Sequence, residues 1–224
     1  MKIFILDSGP IINLSMNGLL YILEELKKIS DIKIIITEAV KKEIIDRPMQ
    51  IPRFELGAIR VEKMMEDKII ELPESIGVKK DEILKKTAEI MEILNSTIKI
   101  GEKYVNIVSE AECSCLALSK ILTAENINNI IGIDERTTRT IFEKPDNLIK
   151  LMSKKLRKKV YLHNKEFKKL GNFRFIRSSE IVYVAHKKSL TNITGKKALE
   201  ALIYATKYKG CSISQEEINE LKKM

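Results

Sequence analysis

Four short apolar runs, each ended by a polar residue and each followed by a stretch of helical spacing, constrain this fold more than any other feature. They are "KIFILD" (2–7), "KIIIT" (33–37), "NIIGID" (129–134) and "FRFIR" (173–177). Runs this short and this apolar read as strands buried on both faces, the pattern of a parallel sheet. Elsewhere apolar residues recur every three or four positions. Leu19, Ile22, Leu23 and Leu26 mark a helix after Gly18, Thr37 suits the cap of a helix through "EAVKKEIID" that ends before Pro48, and Ser109 opens "SEAECSCLALSKIL". "ERTTRTIF" and "SSEIVYVAHKKSL" read as helices after the last two runs, and "GKKALEALIYATKYKG" and "SQEEINELKK" as closing helices. Pro10 suits the first turn of the helix after the first strand.

Strands alternating with helices predict an α/β fold, with an open, mostly parallel sheet of about five strands wrapped by helices. The fifth candidate strand is "KIIEL" (68–72), between helical patterns at about 53–66 and 80–95, with Pro73 and Gly77 as breakers. At 224 residues the chain suits one domain, 1–224, with a basic insertion at about 143–172 and C-terminal helices at about 178–223.

Several function classes fall away. The longest apolar runs, such as Ile34–Ile36 and Ile130–Ile133, are far short of a bilayer span, and "MKIFILD" is too soon charged for a signal peptide; a cytoplasmic protein with no membrane partner is expected. Three cysteines make no disulfide framework, and Cys113 and Cys115 point about 200° apart on a helix, so they read as small buried hydrophobes. His163 and His186 have no Cys or His at ligand spacing, which argues against a zinc finger. A net charge of +9 points to an anionic partner, nucleic acid first. Nine Lys or Arg against one Glu fall within 150–169, which makes Lys154, Lys155, Arg157, Lys158 and Lys159 candidate phosphate-binding residues; the plainer alternative is a solvated lysine face.

In parallel α/β sheets ligands bind outside the carboxyl ends of the strands. Asp7 and Asp134 end two of the apolar runs, Glu43 lies in the helix after another, and Glu110 and Glu112 open the helix at Ser109. Each has a structural explanation. Ser109-x-x-Glu112 is a capping box, Asp7 and Asp134 suit caps or Asx turns, and Glu43 suits an i, i+4 pair with Arg47. Asp7 resists such an explanation most, because a carboxylate ending a buried strand loses hydration and needs a cation or several donors.

Taken together, "FILDSGPIINL", "IIITEAVKKEI", "SEAECSCLALS" and "GIDERTTRTI" resemble, in this order, the four acidic motifs of PIN-domain nucleases. The resemblance spans about 1–142 and 172 to the C-terminus, with the basic segment as an insertion. It implies a three-layer α/β/α sandwich and a ribonuclease that hydrolyses phosphodiester bonds with Mg2+ or Mn2+. On the matching positions it implies Asp7, Glu43, Glu112 and Asp134 as the catalytic and metal-binding set, with Ser8 and Glu110 in support. Glu135 and Arg139 stand where many relatives carry a second Asp and an Arg; Glu135 departs from that pattern. RNA is favoured over DNA by the resemblance alone, and a homodimer, an antitoxin or a ribosomal partner are left open by it.

The residue types agree with that chemistry, because oxygen-only donors select hard cations and a carboxylate-held ion both stabilises a crowded phosphate and generates hydroxide. A haloacid-dehalogenase-like phosphatase would need another Asp two residues after Asp7, where Gly9 stands. The rival of a different class is a PIN-like module that binds nucleic acid as a scaffold without cutting it.

Overall fold

In chain order, β1 (Lys2–Leu6) leads into α1 (Ser8–Met16) and α2 (Tyr21–Ile29), followed by β2 (Ile32–Ile35), α3 (Glu38–Lys41), α4 (Pro52–Glu66) and β3 (Ile70–Glu71). Next come α5 (Lys80–Asn95), β4 (Ile98–Ile100), β5 (Lys103–Tyr104), α6 (Glu110–Ala124) and β6 (Asn129–Gly132). The remainder is α7 (Arg136–Glu143), α8 (Leu148–Leu156), β7 (Tyr161–Leu162), β8 (Phe175–Ile176), α9 (Ser178–Lys187), α10 (Ala198–Tyr208) and α11 (Gln215–Lys223). These elements come from a computed structural model, which describes residues 2–223.

The apolar runs become the five-stranded sheet β3-β2-β1-β6-β8, with every pairing parallel. β1 lies at its centre, and Ile3, Phe4, Ile5 and Leu6 are all buried, as a strand covered on both faces requires. Each such side chain contributes about 1.5–3 kcal/mol relative to exposure. Gly132 lets the central pair approach: a Cβ there would lie 2.5 Å from Leu6 Cδ2 and 3.1 Å from Phe4 Cε2.

Helices cover both faces of the sheet, giving the three-layer sandwich. On one face α6 packs against β1 and β6, with α5 against α6. Every residue of α6 from Ala111 to Ser119 is buried, which is why this helix tolerates small cysteines at Cys113 and Cys115 instead of one polar face. On the other face α2 packs on β2, in contact with α9, and α1 touches α4 and α9. Near the C-terminus Ile203, Cys211, Ile213, Ile218 and Leu221 form a small separate core against Tyr183, Leu199 and Tyr204.

Four details differ from the sequence expectation. The strands stop one residue before Asp7 and two before Asp134, so both carboxylates sit just beyond the sheet edge. The helix after β2 is divided: α3 runs directly into a π-helical turn, Lys42–Asp46, that contains Glu43. The segment after α5 is a β-hairpin, with Gly101 at φ 57 as the first residue of a two-residue turn. The basic insertion holds α8 and β7, and β7 pairs with β4 to complete a small antiparallel sheet, β5-β4-β7. Among the described residues no helix is long and apolar enough to cross a membrane.

Candidate functional site

Asp7 occupies the N-cap position of α1, yet its side chain makes no capping hydrogen bond. It is 4% exposed, and Oδ1 is buried without a hydrogen-bond partner. A cap role therefore does not account for it. Burial, then the charge of Glu112, with Glu43 adding to it, pushes the Asp7 carboxyl up to about 8, although the amides of Ser8 and Gly9 favour its anion. Without a cation, a proton settles there at neutral pH.

Glu112 does cap its helix. Ser109 Oγ accepts from Glu112 N at 3.2 Å, and Ser109 N donates to Glu112 Oε2 at 2.7 Å, the reciprocal box expected from the sequence. Its other oxygen is engaged as well, with Oε1 accepting from the Thr138 hydroxyl of α7 at 2.6 Å. Burial raises this carboxyl too, against the Thr138 and Ser109 hydrogen bonds.

Asp134 is held by groups far away in sequence. Oδ1 accepts from Ser178 N, at the start of α9, at 2.8 Å, and Oδ2 accepts from Asn13 Nδ2 of α1 at 3.3 Å. Asn13 Nδ2 also donates to the Thr206 carbonyl at 2.8 Å. Burial raises Asp134, with the Ser178 amide opposing. Gly9 marks how near it stands to Asp7: a Cβ on Gly9 would lie 3.4 Å from Asp134 Cβ and 3.7 Å from Asp7 Oδ2.

Glu43 is half-buried in its π-helical turn, a local geometry frequent at functional sites. Among the described residues its side chain has no hydrogen bond or ion pair, so the expected pairing with Arg47 is not formed. Its charge is felt at Asp7, and Asp7, Glu112 and Glu43 all act on the buried Cys115 thiol. The structure thus brings Asp7, Glu43 and Glu112 into one electrostatic neighbourhood, with Asp134 beside Asp7. It does not assemble them into a cage: among the described residues no three such side chains are close enough to hold one ion.

The supporting residues divide. Ser8 opens α1, half-buried next to Asp7. Glu110 is exposed and lines a groove of about 100 Å³ with Thr37, Glu38, Lys42, Thr87 and Ser114. Glu135 is the N-cap of α7, accepting from the amides of Thr137 and Thr138, and pairs with Lys155 at 2.8 Å. Arg139 is buried and ties in the C-terminal segment, with Nη2 donating to the Ser212 carbonyl at 3.0 Å. Lys154, Lys155, Arg157, Lys158 and Lys159 are all exposed, and only Lys155 among them is engaged at the sheet edge.

Asn13, Thr138 and Ser178 orient the candidate carboxylates and were not expected from the sequence. Asn13 had a signal, a polar residue inside the apolar stretch "PIINL". Thr138 and Ser178 had none, because their partners are distant in sequence. A larger cavity, about 290 Å³, is elsewhere, at the opposite edge of the sheet between Phe4, Ile29, Ile130, Arg174 and Val184. The fold and this edge define an α/β sandwich with a buried, acidic C-terminal sheet edge. No family model, no curated protein and no solved structure matches the chain.

Proposed function

We propose that this protein is a PIN-like, metal-dependent phosphodiester hydrolase that cuts RNA in the cytoplasm, with Mg2+ or Mn2+ held by Asp7, Glu43, Glu112 and Asp134. The observation that carries this reading is Asp7 Oδ1, a buried carboxylate oxygen with no partner at the carboxyl end of the central strand. A buried carboxylate in that position is costly unless something positive meets it.

The donor set fits a hard divalent ion. Asp7 and Glu43 have oxygen free of hydrogen bonds, and each oxygen of Glu112 and Asp134 holds only one, leaving a lone pair. As folded the four do not yet converge, so an ion would have to draw them together. When bound, such an ion supplies charge neutralisation at the scissile phosphate and a hydroxide nucleophile. Ser109 and Thr138 fix the Glu112 carboxylate, and Ser178 N with Asn13 fixes that of Asp134. Lys154, Arg157, Lys158 and Lys159 would hold the phosphate backbone of the RNA.

One observation favours the second reading, a PIN-like nucleic-acid-binding scaffold without catalysis: both Glu112 oxygens already accept a hydrogen bond within the protein. Calorimetric titration of the protein with Mn2+, alongside cleavage of labelled RNA, separates the two. The nuclease reading expects Mn2+ binding that Asp7→Asn removes together with cleavage. RNA binding with neither Mn2+ uptake nor cleavage supports the scaffold.

A further inference from the structure

Lys99, on the central strand β4 of the small sheet, stands opposite Tyr104 on β5 and Tyr161 on β7. Directly opposed residues on paired strands share a face, so the three side chains form one row. Neighbouring strands are about 4.8 Å apart, so the two rings rise from positions roughly 10 Å apart with a lysine between them. Each tyrosine is 51% exposed, whereas Ile98 and Val160, which precede Lys99 and Tyr161 and point the other way, are buried.

Cations accompany the rings. Lys99 Nζ lies 4.6 Å from the centre of the Tyr104 ring, and Lys159 Nζ lies 5.3 Å from that of Tyr161. His163, on the same face as Tyr161, is hydrogen-bonded through Nε2 to the Tyr104 hydroxyl at 3.1 Å and meets that ring edge-on. Arg157, Lys158 and Lys159 lead into β7 with no acid before His163, and Glu102 is the one acid of the hairpin sequence 98–104. Exposed rings held beside lysines cost solvation of apolar surface, and cross-strand pairing alone does not require both to stay open.

We propose that this face is a docking platform for single-stranded RNA, with bases stacking on Tyr104 and Tyr161 and phosphates meeting Lys99, Arg157, Lys158 and Lys159. The proposal rests on the nuclease reading above and deepens it by naming the form of the substrate. A single strand offers base faces for stacking, which a duplex keeps inside its own stack, and stacking on aromatic side chains is tolerant of sequence. The surrounding charge complements the phosphates. The platform is also joined to the carboxylate edge. Tyr104 precedes Ser109, the cap partner of Glu112, by five residues, a span of at most about 18 Å of chain. Lys155, just before the basic turn into β7, bonds Glu135 at 2.8 Å at the head of α7.

The test is fluorescence anisotropy of a short labelled oligo(U) in EDTA, so that cleavage plays no part. Tyr104→Ala and Tyr161→Ala should each weaken binding about tenfold, while Tyr104→Phe and Tyr161→Phe, which keep the rings, should bind as the wild type does. Tyr208→Ala, a change at the exposed end of α10, should have no effect. Unlabelled duplex RNA of equal length and polyglutamate should compete poorly. Wild-type affinity in both alanine variants, phenylalanine variants as weak as the alanine ones, or equal competition by the duplex or by polyglutamate would each overturn the proposal. Because nothing in this assay depends on catalysis, its outcome is separate from that of the nuclease reading, which stands or falls on cleavage by Asp7→Asn.

Discussion

Glu112 Oε1 lies 2.6 Å from the hydroxyl of Thr138, twenty-six residues further along the chain, while Oε2 of the same carboxylate caps α6 through Ser109 N. Capping and service in a site at the sheet edge are therefore not alternatives for this residue. One oxygen fixes the helix start, and the other is turned toward α7.

Glu112→Gln separates the two roles. Glutamine still accepts from Ser109 N, so a thermal melt should show a loss of no more than about 1 kcal/mol. Mn2+-dependent RNA cleavage should fall by about a hundredfold or more, as when one charge-stabilising group is removed from a catalytic site. Unchanged cleavage would reduce Glu112 to a cap.

Asp7 gives a pH signature in the metal-free protein. Its carboxyl titrates near 8 when folded and near 3.8 when unfolded, so the folded state holds a proton that the unfolded state has released between those values. Stability in EDTA should then decline as pH rises from about 4 to 8, by at most about 1.4 kcal/mol per unit from this group. Asp7→Asn removes the effect. Urea unfolding should show the variant more stable than wild type at pH 8, with the difference vanishing toward pH 4.

Glu217 has the opposite sign. Burial works against its charge, but the Ser214 amide at 2.7 Å and the Arg177 guanidinium at 2.7 Å bring its carboxyl down to about 2. Its contribution is present above the ordinary value of 4.5 and is lost as pH falls through about 2. Glu217→Gln should lower the melting temperature at pH 7, and the two proteins should melt alike near pH 2.

The basic segment is tested by salt. Replacing Lys154, Arg157, Lys158 and Lys159 by Gln should flatten the plot of log affinity for single-stranded RNA against log salt, by about 0.7 for each phosphate no longer neutralised. An unchanged slope would leave these residues as a solvated face. Lys155→Gln should act differently, loosening α8 from the cap of α7, because Lys155 is paired with Glu135.

The central sheet was legible because its strands are continuous apolar runs buried on both faces, and no other element gives Ile3 to Leu6 or Ile34 to Ile36 a place to go. The small sheet was not. Its strands are two or three residues long, and Lys99 pairs with Tyr161 across the whole of α6, α7 and α8, which no local pattern encodes. The hairpin did carry a signal, Ile98 and Ile100 alternating with Lys99 and followed by Gly101. At the sheet edge, the apolar runs showed where Asp7 and Asp134 fall in the fold, but nothing local showed the partners that hold Asp134 and Glu112. Glu135 matched an expected acid by position alone, and its local surroundings make it a cap, since Thr137 and Thr138 follow it and supply the amides.

The proposed role of Asp7 as a metal ligand in a nuclease is tested by cleavage of labelled single-stranded RNA with and without Mn2+ by wild type and Asp7→Asn. Wild type should show Mn2+-dependent cleavage that falls at least about a hundredfold in the variant, whose fold is intact by its melt. Cleavage by Asp7→Asn at the wild-type rate, or no Mn2+-dependent cleavage by a wild-type protein that binds the RNA, would contradict it.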